Sequence, residues 1–282
     1  MIAALPLPYP FDTDAMQTAF VACLAVGIIA PTIGTFLVQK RLSLIGDGVG
    51  HVAFAGVGAG LLLGVWPVWT ALAFAVMGAV GVEFLRTRRK ASGDLALALF
   101  FYTGIALGVV FASRADNLDF ETLPYLFGDP FAVTRAGLVT LLMLGVLVVV
   151  GASTLSRVLF AVVTDEDWSR VAGLPVDRLS MVLAALTAAV IVAGMRVVGI
   201  LLVAAMTVLP VASAQLLARS FRSTLRLSVA IGAMSSILGL AFGRILHIAP
   251  GGTIVLVAAV FFAGVALVKG GALRVFEIEA HR

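Results

Sequence analysis

An acid and an imidazole stand four residues apart at the start of one apolar run of this 282-residue chain. They are Asp47 and His51, within the segment RLSLIGDGVGHVAFAGVGAGLLLG that covers residues 41–64. Residues four apart share one face of a helix, so both side chains are expected on the same side. Carboxylate and imidazole are ligands that suit zinc, manganese or iron. Because ionisable groups inside a membrane are costly and rare, the pair indicates a metal-ion pathway.

Other roles fit the same two residues. Asp47 could cap the end of its helix, and the pair could hold neighbouring helices together by hydrogen bonds. A carboxylate and an imidazole could also work as acid and base in an intramembrane enzyme. The glycines around them fit close helix packing and room for an ion equally well.

Composition gives the class of protein. Hydrophobic residues make up 61% of the chain and charged residues 12%, with a mean hydropathy of +1.13. A typical soluble domain is about 25% charged. The chain is therefore predicted to be all-α, a polytopic helical membrane protein with one transmembrane domain. The net charge of +4 does not indicate nucleic-acid binding, because the basic residues lie in short clusters between apolar runs.

A helix needs about 20 apolar residues to cross a bilayer. Nine segments qualify, roughly 15–38, 46–64, 66–85, 94–113, 133–154, 178–195, 197–217, 225–246 and 252–269. A single helix over the sixth and seventh would be about 60 Å long, twice the hydrocarbon thickness. A break is therefore required near Gly194, Arg196 and Gly199. Eight spans with one re-entrant segment is the alternative layout.

The distribution of arginine and lysine predicts the orientation. Of the 19 basic residues, most fall in alternate loops and in the C-terminal tail, which the positive-inside rule assigns to the cytosol. The N-terminal tail (1–14) is then extracytoplasmic, the transmembrane domain covers 15–269, and the tail at 270–282 is cytosolic. The predicted cytosolic residues are Lys40, Arg41, Arg86, Arg88, Arg89, Lys90, Arg157, Arg170, Arg178, Arg219, Arg222, Arg226, Lys269, Arg274 and Arg282.

One cytosolic loop, at about 164–178, has the pattern of a short amphipathic helix. Its acidic start is Asp165, Glu166 and Asp167, which favours a helix N-terminus. Gly173 and Pro175 are typical of a helix end.

The remaining polar residues have plainer interpretations. Glu83 is predicted to pair with the arginines that follow it, Arg86, Arg88 and Arg89. His247 is expected at the outer end of its span and His281 in the cytosolic tail. The acids of the outer loop could collect cations or be simply solvated; these are Asp116, Asp119, Glu121 and Asp129.

The motifs that are missing exclude several functions. The sequence has no GxxxxGK[ST] phosphate loop, so ATP hydrolysis would need a separate subunit. It has no HExxH motif and no clustered cysteines. We therefore expect a transport protein rather than an enzyme.

Four stretches, taken in order, resemble the permease subunit of zinc- and manganese-type ABC importers. RLSLIGDGVGHVAFAGV (41–57) is similar to that family's R-x-S-L-x-G-D-x-x-x-H signature. GDLALALFFYTGIALGVVF with YLFGDP (93–111 and 125–130) is similar to its central region. TDEDWSRVAGLPVDRL with MRVVGILLVAAMTVLPVASAQLLAR (164–179 and 195–219) resembles its cytosolic loop and late spans, and APGGTIVLVAAVFF (249–262) its C-terminal signature.

The resemblance implies a function and a set of partners. The chain would be a homodimeric permease in a bacterial cytoplasmic membrane, with ATP-binding-cassette ATPase subunits on the cytosolic side and an extracytoplasmic metal-binding protein. Zn²⁺ or Mn²⁺ would be the transported substrate, with iron as a further candidate and no resident cofactor. Asp47 and His51 match the family's metal residues, and the segment Asp165–Gly173 matches its ATPase coupling loop. Gly50 stands where the family often has serine.

A stand-alone, proton-coupled secondary metal transporter is the other transport class. Its usual sequence pattern is an internal repeat with broken helices. No internal repeat is found in the chain.

Overall fold

Helices make up nearly all of the fold. The structure is a computed structural model that describes residues 10–87, 93–114 and 124–280. The helices bounded within these ranges are α1 (Asp14–Gln39), α2 (Ile45–Leu62), α3 (Pro67–Thr87), α4 (Gly93–Ala112), α5 (Arg135–Thr154), α6 (Ser156–Thr164), α7 (Glu166–Val171), α8 (Val176–Gly194), α9 (Ile200–Leu217), α10 (Phe221–Leu246) and α11 (Pro250–Ala280). A helical turn at residues 124–127 and a 3₁₀ turn, Pro130–Ala132, precede α5.

Every predicted apolar segment is helical. Within the described ranges, eight helices are long and apolar enough to cross a membrane, which confirms a multi-pass membrane protein. The seventh predicted segment corresponds to α9, whose apolar part, Leu202–Leu217, is shorter than the others. Two features were not predicted. The short helix α6 follows the fifth span, and α11 continues through the predicted tail as far as Ala280.

The break predicted between the sixth and seventh segments is present. Helix α8 ends at Gly194 and α9 begins at Ile200, with the connecting residues buried. Gly199 has φ +98, a conformation that side-chain-bearing residues rarely adopt. Non-helical backbone at membrane depth needs internal partners. Here the Val197 and Val198 amides donate to the Gly194 carbonyl, and the Asp129 amide donates to the Arg196 carbonyl.

Helix α2 has neighbours on several sides. It packs against α3, α4, α8 and α9, and all but a few of its residues are buried. Its start is set by the turn after α1, where Arg41 takes a left-handed conformation with φ +59. The Leu42 amide then donates to the Leu37 carbonyl at 2.9 Å, and α2 begins three residues later. The fold thus surrounds the segment that carries Asp47 and His51.

Helices α1 and α10 cross in close contact at two glycines. A Cβ placed on Gly232 would lie 2.3 Å from the carbonyl oxygen of Gly27, and one on Gly27 would lie 2.7 Å from the carbonyl oxygen of Gly232. Both obstacles are backbone atoms, which cannot move away as a side-chain end can. Small residues allow such approaches between membrane helices.

We expect Gly232→Ala to destabilise the protein by about 1–3 kcal/mol, because the added methyl group forces the two helices apart. Gly264→Ala, in α11, is the matched control: a Cβ added there would have no atom within 4 Å, and alanine favours the helix. Denaturant unfolding of the detergent-purified protein measures both. Equal stability of the two variants would contradict the close crossing.

Candidate functional site

Asp47 and His51 lie between two packed faces of α2. Gly46 and Gly50, on one side, face α9, where a Cβ on Gly50 would touch Ile200 at 3.0 Å. On the other side α4 approaches so closely that a Cβ on Gly104 would lie 2.7 Å from the Val52 amide nitrogen. Successive residues of a helix are rotated by about 100° around its axis. Asp47 and His51 therefore project between the face that contacts α9 and the face that contacts α4. Both side chains are half-buried.

The polar groups of this pair are not used for holding helices together. Within the described ranges, no hydrogen bond or ion pair to either side chain is found, and no side chain caps the start of α2. The imidazole of His51 does contact the ring of Phe101 in α4, edge to face, with ring centroids 4.4 Å apart. The capping and helix-linking interpretations of Asp47 and His51 therefore find no support in these contacts. The pair keeps its ligand atoms available.

Asp47 and His51 alone would be an incomplete ligand set for a metal ion. Within the part of the chain that the structure describes, no group of three or more His, Cys, Asp or Glu side chains could hold an ion together. Carboxylate and imidazole from one chain give two ligands, and common metal sites use four or more. Water or another molecule would complete the site.

A cavity of about 260 Å³ lies at the same end of α2 as Asp47. The residues that line it include Ile45 of α2, Glu83 of α3 and Asp94 of α4. It lies at the end of the bundle where Lys40 and Arg86 lie, and its lining includes Arg86 but neither Asp47 nor His51.

The predicted amphipathic helix of the 164–178 loop is present as α7. The Asp165 side chain caps it by accepting from the Trp168 amide at 2.8 Å, and Glu166 and Asp167 occupy its first turn. Gly173 ends it with φ +81 and donates its amide to the Arg170 carbonyl. The sequence thus places the start and the end of α7 correctly.

Four charged side chains join α7 to the ends of two long helices. Glu83 of α3, 1% exposed, accepts from Arg86 at 2.7 and 3.0 Å and from Lys40 of α1 at 3.1 Å. Glu166 of α7 accepts from the same Arg86 at 2.5 Å and lies 3.1 Å from Lys40. Lys40 also donates to Ser180 of α8 at 2.7 Å. We call Lys40, Glu83, Arg86 and Glu166 the four-charge cluster.

The cluster keeps Glu166 ionised. Burial alone would raise the pKa of the Glu166 carboxyl, but the hydrogen bond from Arg86 and the charges of Lys40 and Arg86 hold that pKa below its ordinary value. The folded pKa is lower than the unfolded one. The stabilisation is therefore complete above the unfolded value of about 4.3 and is lost as pH falls through the folded pKa.

The comparisons with known proteins decide the family. The model of the family described as "ABC 3 transport family" matches residues 12–269. The chain belongs to this family. The resemblance to the permease subunit of metal-type ABC importers, drawn from four sequence stretches, is confirmed.

Relatives of the permease cover almost its whole length. It is 32% identical to the manganese import system permease protein ScaB of Streptococcus parasanguinis over 88% of both chains. It is 30% identical to the manganese transport system membrane protein MntC of Listeria innocua, again over 88% of each. Among solved structures, PsaBC from Streptococcus pneumoniae in complex with Fab superposes with a TM-score of 0.80 at 29% identity, covering 90% of this chain and 91% of that one.

The structure also shows where the other polar residues singled out in the sequence lie and what they contact. Asp129 caps the 3₁₀ turn by accepting from the Phe131 amide at 3.0 Å, so its carboxylate has a local role. His247 is exposed and ends α10 in a left-handed conformation, away from Asp47 and His51. Glu83 pairs with Arg86 as predicted. The predictions for Asp116, Asp119, Glu121, Arg88, Arg89 and His281 lie outside the described residues.

We expect Glu83→Gln to destabilise the permease by about 3–5 kcal/mol, because it leaves Lys40 and Arg86 buried with one acid fewer between them. The matched control is Asp177→Asn, which breaks the exposed Arg170–Asp177 pair and should cost less than about 1 kcal/mol. Thermal or denaturant unfolding in detergent measures both. Equal losses in the two variants would show that the cluster is no stronger than a surface pair.

Proposed function

We propose that this chain is the membrane-spanning subunit of an ATP-driven importer for a divalent transition metal, with Asp47 and His51 as the metal contacts. The observation that carries the proposal is that pair: two metal-ligating side chains at the start of a buried helix, half-buried, with no competing hydrogen bond or ion pair within the described ranges. Its surroundings are apolar, so an ion there would be the partner that these groups otherwise lack.

The pair would take over part of the ion's hydration. A bare divalent cation does not cross hydrocarbon, and water must be replaced by ligands along the way. A second copy of the permease related by two-fold symmetry would bring the same residues to a shared site and double the ligand number to four. This supports a homodimer as the working form.

Manganese is the metal we propose first. The names of the two relatives refer to manganese import in Streptococcus parasanguinis and to manganese transport in Listeria innocua, and both align over 88% of the chain. The donor set accepts zinc and iron as well, and an intrinsic affinity order does not decide which metal a cell delivers. Delivery by an extracytoplasmic binding protein would make that choice before the ion reaches Asp47.

The ATPase is proposed to dock on the loop that contains α7. Asp165, Glu166, Asp167 and Gly173 form and end this helix, and the four-charge cluster ties it to α1 and α3. A displacement of α7 would therefore reach α3, which packs against α2. This arrangement supports the predicted orientation, with the α7 end of the bundle in the cytosol and the N-terminus outside a bacterial cytoplasmic membrane.

Asp47→Ala or His51→Ala is expected to abolish manganese uptake, because each removes one ligand from the proposed site. The measurement is uptake of radioactive manganese by cells or proteoliposomes that contain the permease with its ATPase and binding protein. His247→Ala, at an exposed histidine remote from the pair, is the matched control and should transport normally. Normal uptake by either site variant, at equal expression, would refute the site.

Acidification is expected to slow transport as His51 becomes protonated, because protonation removes the lone pair that binds metal. Rates at saturating binding protein between pH 5 and 8 measure this. A flat profile would count against His51 as a ligand.

Changes in α7 are expected to uncouple ATP hydrolysis from transport. Glu166→Gln removes the charge that Arg86 and Lys40 hold, and Gly173→Ala strains the end of α7 because φ is +81. Gly64→Ala is the matched control, since Gly64 has φ +63 and open space but lies in the loop between α2 and α3. The readout is ATP hydrolysed per manganese ion imported. An unchanged ratio in both α7 variants would refute the coupling role.

A further inference from the structure

The structure has a cleft that neither Asp47 nor His51 lines. A cleft of about 740 Å³ opens between α1, α5 and α10, with α6 at one end. Its walls are largely apolar and include Ile28, Val149 and Val229. Its volume lies in the range of ligand pockets.

Three arginines stand at the end of this cleft that adjoins α6. Arg222 and Arg226 lie one turn apart on α10, and Arg157 comes from α6; all three are exposed and line the cleft. Within the described ranges, none of the three arginines has an acidic side chain within salt-bridge distance. The basic residues that do form salt bridges there are Lys40, Arg86 and Arg170. Like charges four residues apart on a helix repel. An anion would relieve that repulsion.

The helix under these arginines adds to the positive potential. Arg222 lies in the first turn of α10, which contains no acid, so a positive side chain sits at the positive end of a 26-residue helix. Natural helices favour acids at this position. The uncompensated charge at this end of the cleft therefore comes from both side chains and backbone.

The apolar part of the cleft has the depth of one membrane leaflet. From Phe36 to Ile28 on α1 the walls extend eight residues, or about 12 Å. Half of a hydrocarbon core is about 15 Å. Three aromatic rings form the wall next to the arginines: the ring centroid of Phe221 lies 5.1 Å from that of Phe36 and 4.7 Å from that of Phe160.

We propose that this cleft binds an anionic phospholipid of the cytosolic leaflet, with the phosphate between Arg157, Arg222 and Arg226 and one acyl chain along α1 and α10. The combination of a cationic rim and an apolar groove of leaflet depth matches a charged headgroup above a hydrocarbon chain. The leaflet follows from the orientation in the proposed function, but the binding itself does not depend on metal transport.

The test is lipid binding to the full-length permease in detergent, measured by native mass spectrometry with phosphatidylglycerol and phosphatidylcholine of identical chains. Phosphatidylglycerol should bind more tightly. Arg222→Gln/Arg226→Gln should weaken it by about 25-fold, or about fivefold per arginine. Arg178→Gln removes an exposed arginine from the same end of the bundle but outside the cleft, and should change the affinity less than about twofold.

A second variant distinguishes binding of a lipid from binding of a simple anion. Ser153→Trp places a ring in the cleft and keeps all three arginines, so it should weaken phosphatidylglycerol binding at least tenfold. Full displacement of phosphatidylglycerol by millimolar inorganic phosphate, with no effect of Ser153→Trp, would overturn the lipid site in favour of a free anion site.

Other outcomes also overturn the proposal. Equal binding of the two lipids, or unchanged lipid binding by Arg222→Gln/Arg226→Gln, would show that the lipid headgroup does not contact these arginines. If Arg222→Gln/Arg226→Gln converted the permease from a dimer to a monomer and left lipid binding unchanged, the cleft would be an interface between permease copies. Because no transport is measured, a failure of Asp47 and His51 as metal ligands would leave the lipid result unaffected.

Discussion

A charge inside an apolar bundle is stable only when it has a counter-charge, hydrogen bonds or water, and this constraint divides the polar residues of the permease into two groups. The four-charge cluster satisfies this constraint internally, because each of its two carboxylates lies 2.5–3.1 Å from both of its basic side chains. Such a cluster is costly to break from one side, because the remaining partner stays buried and unpaired. Asp47 and His51 are half-buried and have no hydrogen bond or ion pair of this kind within the described ranges.

The contrast bears on how α2 could carry the proposed metal site within a closely packed bundle. Close contacts at small residues hold α2 against α4 and α9. Asp47 and His51 lie between those contacts, on a face of α2 that the neighbouring helices cover only in part. An ion passing there would meet two ligands on a rigid helix, and a weak, incomplete ligand set favours release as well as binding.

Much of this arrangement was predictable from the sequence because hydropathy and charge follow directly from residue type. The nine apolar segments, the break at Gly194–Gly199 and the helix that runs from Glu166 to Gly173 all have local causes. The partners of Glu83 were only half predictable. Arg86 is one turn away, whereas Lys40 comes from a distant segment that only packing brings next to Glu83. Helix α6 was missed because its nine residues are too few for a span and carry no capping signal on a side chain.

The long sequence separation within the four-charge cluster has a consequence for how the protein is made. Glu166 follows Arg86 by 80 residues, and Ser180 follows Lys40 by 140. Since a chain emerges from the ribosome N-terminus first, α1 and α3 can form the Lys40–Glu83–Arg86 part of the cluster before Glu166 has been synthesised. The attachment for α7 is complete only after α8 has been synthesised. A chain that stalls before Ser180 therefore lacks part of the anchorage of α7, and the position of this helix is fixed only in the finished bundle.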